Sequence, residues 1–536
     1  TIKYLIYCYN KIRRTHDRNS LLWAATRIMD WINWLSFGGT GINNNRNGDD
    51  EEIISPINVA SLKVKFMVET GSSVSATPVT FQNNIYFPDW SGNLYSVNAQ
   101  TGQINWAYNI SLSYLPQPSD PRVVSRTTIA IDPVEKLLVF GTQIPDNGSN
   151  PYIVAVDLDG KLIWSTLLDI HPHAIITQSA TIYDGGVYVG VSSNEEAASS
   201  SIPNYQCCTF KGSFAKLDLK TGNIIWKTFM LPDNNGSPDL YSGNAVWGSA
   251  PAIDPVKRLV YIATGNNYKT PSYVTSCIAN VSTVADMMKC HDPNNHFDAM
   301  LALNIDTGEI VWSRRTAGLD NWTVACVSNI TNPQNCPTPA GPDYDFGQAP
   351  LLFNVCYSFG ECIQLAIATA KSGITWALNA TTGEIVWSTN SGPGAVGGGS
   401  LFGCATDRRR YFISQANANN IQYILDKPTP GSPSAIYNGA IVALDIVTGE
   451  ILWQTANSVQ AGGTGPVSYS NGVVYYPSND ANGTLFALSA ETGETLFEFQ
   501  TMGELNCGPS IVNGVVYIGS GYGQANNNKV YALTPM

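Results

Sequence analysis

One phrase recurs along this chain and constrains its fold more than any other feature. Ala-Leu-Asn, two further residues, then Thr-Gly-Glu-Ile-Val-Trp occurs twice almost unchanged, within residues 301–312 and 376–387. Echoes fall at 95–106, 154–164, 215–226, 442–453 and 485–497, and an eighth stops short at Tyr531-Ala532-Leu533. In nearly every unit an apolar-alternating strand runs into Asp, Asn or Ser. A Thr-Gly or Asp-Gly turn follows, then a second strand that usually carries Trp. This is a β-hairpin whose glycine can take a positive φ. The first apolar anchors, Val97, Val156, Leu217, Leu303, Leu378, Leu444, Leu488 and Leu533, lie 59, 61, 86, 75, 66, 44 and 45 residues apart. A floor near 45 with variable excess is the spacing of four-stranded propeller blades carrying insertions.

A second phrase alternates with the first: small residues and Pro, a short strand, then Gly-x-Val-Tyr or a near variant, as at 76–87, 250–261, 465–475 and 508–517. Two hairpins per period make four strands per blade. The expected fold is therefore all-β, an eight-bladed propeller of four-stranded antiparallel blades. Because the final copy ends after its inner strands, the apolar-alternating run 62–68 is expected to complete that blade from the other terminus, leaving no long exposed edge. The expected organisation is one propeller over residues 30–536 behind an N-terminal extension, 1–29. Within that lead-in, 20–34 reads as a short amphipathic helix with Ser20 as its N-cap. The chain opens on Thr1, which suggests a longer precursor.

Charged residues make up 13% of the chain, against about 25% in typical domains, and the net charge is -12. With no basic run longer than Arg408 to Arg410, this balance argues against a nucleic-acid partner. No apolar stretch approaches the roughly 18 residues that span a bilayer. Cysteines fall in close pairs inside the longest insertions, as expected where disulfides close loops in an oxidising compartment. Cys277 with Cys290, Cys326 with Cys336, and Cys356 with Cys362 are the expected bridges. Asn-x-Ser/Thr sequons at Asn109, Asn147, Asn235, Asn280, Asn321, Asn329, Asn379 and Asn482 point the same way, to a secreted or extracytoplasmic glycoprotein.

Three stretches are more specific: 206–213, Gln-Cys-Cys-Thr-Phe-Lys-Gly-Ser; Val246-Trp247-Gly248-Ser249 with Ala263-Thr264-Gly265-Asn266; and 342–347, Pro-Asp-Tyr-Asp-Phe-Gly. With Asp30-Trp31 and Ile57-Asn58-Val59-Ala60, they resemble the quinoprotein alcohol dehydrogenase propellers, above all the polyvinyl alcohol dehydrogenase-like branch. The resemblance spans about 30–533. It implies pyrroloquinoline quinone (PQQ) and calcium on the propeller axis, an alcohol substrate and an external electron acceptor. PQQ carries three carboxylates and an ortho-quinone, so its pocket needs cations, hydroxyls and flat apolar walls. Its carbonyl must be polarised by a hard cation on oxygen ligands, and a carboxylate must take the alcohol proton.

The resemblance implies metal ligands at Glu195 or Glu196 and at Asn266, with Asp343 as base and metal contact and Asp345 as a further ligand. It implies cofactor contacts from Arg126, Lys371, Trp247 and Thr177, with Ser179 as the alternative hydroxyl, and a role for Cys207 and Cys208 as a vicinal disulfide over the quinone. Two departures matter. The family's Trp-Asp-x-Asp is interrupted here, Trp322 being followed by Thr323, which an insertion over 326–340 reconciles; the rival reading makes Asp320 the relevant carboxylate. The cysteine pair also lies after the metal-binding glutamate and not one blade before it, so each cysteine has an alternative partner in Cys404 or Cys507. No Cys-x-x-Cys-His haem site is present, and His171-Pro172-His173 lacks a third ligand. The other functional class compatible with these residues is a cofactor-free extracellular propeller serving as a binding or structural module.

Overall fold

The computed structural model describes residues 33–536 apart from 49–50, 147, 328–330, 357–361 and 525–526. The expected extension 1–29, the Asp30-Trp31 motif, most of the helix at 20–34 and the sequons Asn147 and Asn329 lie outside the described residues.

Eight antiparallel blades of four strands follow one another in sequence, spanning 79–109, 130–167, 181–229, 252–315, 351–390, 405–456, 468–500 and 510–535, with a short extra strand, Ala174–Ile175, added to the third; we call them blades 1 to 8. Blade 8 takes its outermost strand from Leu62–Glu69, which pairs with Lys529–Pro535, Leu62 opposite Pro535 and Glu69 opposite Lys529. The ring closes as the sequence predicts.

The recurring turn locks each blade to the next. Gly222, Gly308, Gly383, Gly449 and Gly493 all have φ between +71° and +76°. A Cβ on any of them would lie 2.5–2.7 Å from the tryptophan ring of the preceding blade, namely Trp164, Trp226, Trp312, Trp387 and Trp453 in turn. Those indoles donate Nε1–H to carbonyls just before the turns: Trp164 to Leu219, Trp226 to Ile305, Trp312 to Ala380, Trp387 to Ile446 and Trp453 to Ala490, at 2.8–3.3 Å. Thr-Gly and Trp recur together because they are two halves of one contact, a ring laid flat on a residue without a side chain.

The axial channel is filled at one level by residues 33–48, a segment with almost no regular structure. Its carbonyls accept from the innermost strands of six blades: Trp34 from Thr80, Leu35 from Ile131, Ile42 from Ile253, Asn43 from Leu352, Asn45 from Thr406 and Arg46 from Tyr469, at 2.7–3.3 Å. Inner strands have a free edge, and this belt satisfies it. Arg46 is fully buried and donates to the carbonyls of Val467, Phe37 and Pro509 and to Ser468 Oγ. Burial pulls its pKa down to about 9.

Strands alternate in direction, so the loops after the second and fourth strands of every blade gather at one end of the ring. The long insertions 194–212, 264–298, 316–350 and 391–404 belong to that end. Of the four disulfides among the described residues, three lie among these loops, Cys207–Cys208, Cys277–Cys290 and Cys326–Cys336, while Cys356–Cys362 closes a hairpin at the other end. Cys404 and Cys507 are buried and have no disulfide partner among the described residues.

Candidate active site

At the loop end, around the axis, lies a recess enclosing about 470 Å³ of empty space including its open mouth. Seven of the eight blades or their connections contribute to its wall. Arg126 enters from the connection between blades 1 and 2, Thr177 and Ser179 from the segment before blade 3, Trp247 from that before blade 4, Phe402 from that before blade 6, and Asn506 and Tyr522 from blade 8 and its approach; Phe37 of the belt adds an aromatic wall.

Arg126 donates to Tyr522 Oη at 2.5 Å, and Tyr522 packs on Trp90 with ring centroids 5.1 Å apart. Thr177 Oγ1 donates to the Trp247 carbonyl at 2.9 Å, and Ser179 Oγ accepts from Thr128 N at 3.0 Å. Trp247 is held edge-on by Phe402 and spends its indole N–H on Asp345 Oδ2 at 2.8 Å. Its ring is thereby fixed as a flat wall of the recess. The recess carries a guanidinium, hydroxyls and aromatic faces together.

Behind Trp247 sits a buried ionic cluster. The ammonium of Lys371 lies 5.4 Å from the Trp247 ring centroid, 2.9 and 3.0 Å from the two oxygens of Asp343, and 2.8 Å from Asp345 Oδ1. Burial opposes its charge, but Asp345, Asp343 and Glu196 outweigh burial and hold its pKa above the ordinary lysine range. Asp343 is 2% exposed and stands at φ +58°. Burial drives its pKa well up, against the pull of Lys371. Glu196 joins the same field: burial pushes its pKa up to about 8, opposed by Lys371 and reinforced by Asp345 and Asp320.

Asp320 has a different task. Its Oδ1 accepts from Asp343 N at 2.9 Å and its Oδ2 from Tyr344 N at 2.6 Å. Both oxygens are spent on the turn that presents Asp343, and burial still lifts its pKa to about 6. Asp298 is fully buried beside Asp320, with which alone among the described residues its carboxyl can share a proton. Burial, then the charges of Asp320 and Asp345, raise its pKa well above normal. Asn266 is held by its amide nitrogen, which donates to the carbonyls of Trp322 at 2.9 Å and Asn267 at 3.1 Å, so its Oδ1 is the end left over as an acceptor. The neighbouring Gly265 lies against Asp345: a Cβ there would be 2.9 Å from Asp345 Oδ2.

The two adjacent glutamates part company. Glu195 is fully buried and its carboxylate accepts from Tyr205 Oη, Thr209 N and Phe210 N at 2.8–3.1 Å, with the His171 ring 3.7 Å away. Cys207 and Cys208 do form the adjacent-residue disulfide, between Tyr205 and Thr209; the pair is not among the residues lining the recess. Cys208 belongs to the apolar cluster of Phe210, Tyr268 and Ala245 on which Trp247 and Cys207 pack.

Of the sequence-derived candidates, then, the structure brings Arg126, Thr177 and Trp247 onto one recess and joins Trp247 to Lys371, Asp343 and Asp345 behind it, with Glu196 within reach of their charges. Asn266 borders this cluster, whereas Glu195 faces the cysteine loop. Asp298, Phe37, Phe402, Asn506 and Tyr522 were not singled out in the sequence: Asp298 stands in no repeated phrase, and the others come from loops whose only signal is their place in the ring.

The donor set suits a hard cation. Carboxylate and amide oxygens surround one ammonium, with acidic groups in excess over bases, and buried like charges of this kind need a counter-ion or protons. The oxygens have not converged on a vacant point: among the described residues no three His, Cys, Asp or Glu side chains form a ready metal cage, and the Lys371 ammonium bridges Asp343 and Asp345.

Comparison with known proteins places this geometry in context. The family model PQQ_2, described as outer membrane protein assembly factor BamB, matches residues 63–283 and 437–535, more than half of the chain. A polyvinylalcohol dehydrogenase of Sphingopyxis sp. (strain 113P3) is 26% identical over 87% of this chain and 69% of its own length. The quinohemoprotein alcohol dehydrogenase ADH IIB of Pseudomonas putida is 23% identical over 89% of this chain and 71% of its own. Among solved structures, the quinohemoprotein alcohol dehydrogenase from Comamonas testosteroni superposes with a TM-score of 0.68, covering 94% of this chain and 80% of that one at 18% identity, a likeness of fold.

Proposed function

The chain belongs to the PQQ_2 family of PQQ-type β-propellers, and from that premise we propose that it is a PQQ-dependent alcohol dehydrogenase whose cofactor sits in the axial recess. The observation that carries this reading is the joining of two sets of residues through one side chain: the cationic and aromatic recess of Arg126, Thr177 and Trp247 meets the Lys371–Asp343–Asp345 cluster at the Trp247 indole. Its relatives named as polyvinylalcohol and quinohemoprotein alcohol dehydrogenases support the same class of reaction.

In this reading Arg126 pairs with a cofactor carboxylate, Thr177 or Ser179 donates a hydroxyl, and Trp247 supplies the stacking face, worth roughly 1 kcal/mol. Glu196, Asn266, Asp343 and Asp345 would hold a hard cation, calcium being the expected one, beside the Lys371 ammonium. Bound there, the quinone with its cation supplies the two-electron acceptor for an alcohol C–H. Asp343 takes the hydroxyl proton onto a carboxylate oxygen. Its raised pKa fits it to hold a proton, while Lys371 and a nearby cation favour the ionised form needed to accept one. Asp320 keeps Asp343 aimed through two backbone N–H bonds. Electrons leave to a separate acceptor.

Secretion and glycosylation form part of the proposal. Four disulfides support an oxidising compartment. Asn235, Asn280 and Asn482 are exposed and sterically open to a glycan, whereas Asn321 is 1% exposed, donates to Thr270 and is closed to one in the folded protein.

The test is reconstitution of the demetallated protein with PQQ and Ca²⁺, followed by a dye-linked screen of primary, secondary and polymeric alcohols. Turnover dependent on both additions supports the enzyme. Cofactor binding without turnover on any alcohol would contradict it, and absence of binding would leave the cofactor-free propeller as the better account.

A further inference from the structure

The neighbouring glutamates divide one task between them, and this inference rests on the functional reading above. Glu196 is near enough to Lys371, Asp345 and Asp320 to feel their charges, whereas Glu195, one residue earlier at the start of the short helix Glu195–Ser201, turns its carboxylate to the cysteine loop. There its carboxylate gathers donors from both flanks of the cysteine pair. Tyr205 Oη reaches it at 2.8 Å from before the disulfide, while Thr209 N at 2.9 Å and Phe210 N at 2.8 Å reach it from after. Thr209 is pinned in addition by its Oγ1, 3.0 Å from His171 Nε2. A second set of contacts ties the loop down from outside: Asn332 Nδ2 donates to Ser199 O and Ile202 O, and Asn335 Nδ2 to Ser199 O and Tyr205 O.

We propose that Glu195 is a positioning residue which fixes the aim of Glu196 into the cation site by anchoring the first helical turn to the Cys207–Cys208 loop. A helix of seven residues, Glu195–Ser201, has too few internal hydrogen bonds to hold its own orientation. Adjacent helical residues point about 100° apart, so gripping Glu195 fixes the azimuth of Glu196. Glu195 has no exposed surface and its oxygens are fully engaged by neutral donors, so it is spent as an anchor and Glu196 is left for the site. Groups that orient a metal ligand are typically worth about 10- to 100-fold in metal affinity.

The test uses the full-length protein, demetallated, with Ca²⁺ titrated calorimetrically in the presence of PQQ, beside the melting temperature of each protein without additions. Glu195→Gln should weaken Ca²⁺ affinity about 10- to 100-fold. Tyr205→Phe, which removes one anchoring hydroxyl, should weaken it a few-fold while leaving the additive-free melting temperature within a few degrees of wild type. A purely structural role would lower melting temperature and leave Ca²⁺ affinity alone. Wild-type affinity in a folded Glu195→Gln protein overturns the proposal; if that variant does not fold, wild-type affinity in Tyr205→Phe overturns it. Should wild type itself take up neither PQQ nor Ca²⁺, the functional reading falls and this proposal falls with it, an outcome distinct from equal binding by wild type and variants.

Discussion

The two ends of this propeller are made by the same strands under opposite rules. At one end blades 1 to 7 each end the third strand in a Thr-Gly or Asp-Gly turn that presses on an aromatic side chain of the blade before, with positive φ and ring contact repeated and, in blades 2 to 7, an indole hydrogen bond as well. At the other end no two loops are alike, and there the buried carboxylates, Lys371 and the recess are found. Repetition at one end supplies rigidity independent of chemistry, which frees the other to vary. Asp343 stands at positive φ without being glycine, and Asp298 buries its carboxyl beside Asp320, features expected where a fold serves a site more than its own stability.

The largest expected effect lies at the loop end. On the proposed mechanism Asp343→Asn removes the proton acceptor while keeping shape, and should lower dye-linked alcohol turnover by about 10³-fold or more with PQQ binding retained; retained turnover would show that another group takes the proton.

Acid should expose the difference between the ends next. His291 and His296, in the disulfide-closed insertion of blade 4, are buried, and burial lowers the pKa of each from 6.5 to about 4, with Arg315 adding to the effect. The unfolded chain therefore protonates them first as pH falls. Stability should drop between pH 6.5 and about 4 and level off below, by up to about 3 kcal/mol per histidine. Urea unfolding at stepped pH checks this, and His291→Asn should flatten the slope; an unchanged slope would place the acid sensitivity elsewhere.

At the repeated end, Gly308→Ala puts a Cβ 2.6 Å from the Trp226 ring at φ +76°. A loss of about 2–4 kcal/mol of unfolding free energy is expected, with turnover per folded molecule unchanged. Altered turnover would mean that the two ends are coupled. The smallest effect should come from Trp247→Phe, which keeps a stacking face and loses the indole bond to Asp345; cofactor affinity should fall about 5- to 20-fold, roughly the 1–2 kcal/mol of a hydrogen bond to a charged group.

What the sequence made legible follows the same line. The blades, the closing strand and three loop disulfides could be read because repetition or close spacing announces them. The belt at 33–48 could not: its polar Asn-rich segment has no period, and its role lies in carbonyls that any sequence possesses. The pair Glu195-Glu196 marked the right place, but adjacent side chains face different ways and only the fold separates the anchor from the site. Asp298 gave no signal, since nothing local in Phe297-Asp298-Ala299 shows that a carboxyl there will be buried beside Asp320 and Asp345. Arg126, Trp247 and Lys371 were found through resemblance to a family; their distances in sequence do not imply that they meet on one axis.

The central claim is that the recess is a cofactor site whose acidic cluster needs a cation. It is tested most directly by titrating the purified, demetallated protein with PQQ with and without Ca²⁺, following heat and quinone absorbance. One-to-one binding that is tight with Ca²⁺ and weak without it is the predicted result; no binding under either condition would contradict the account.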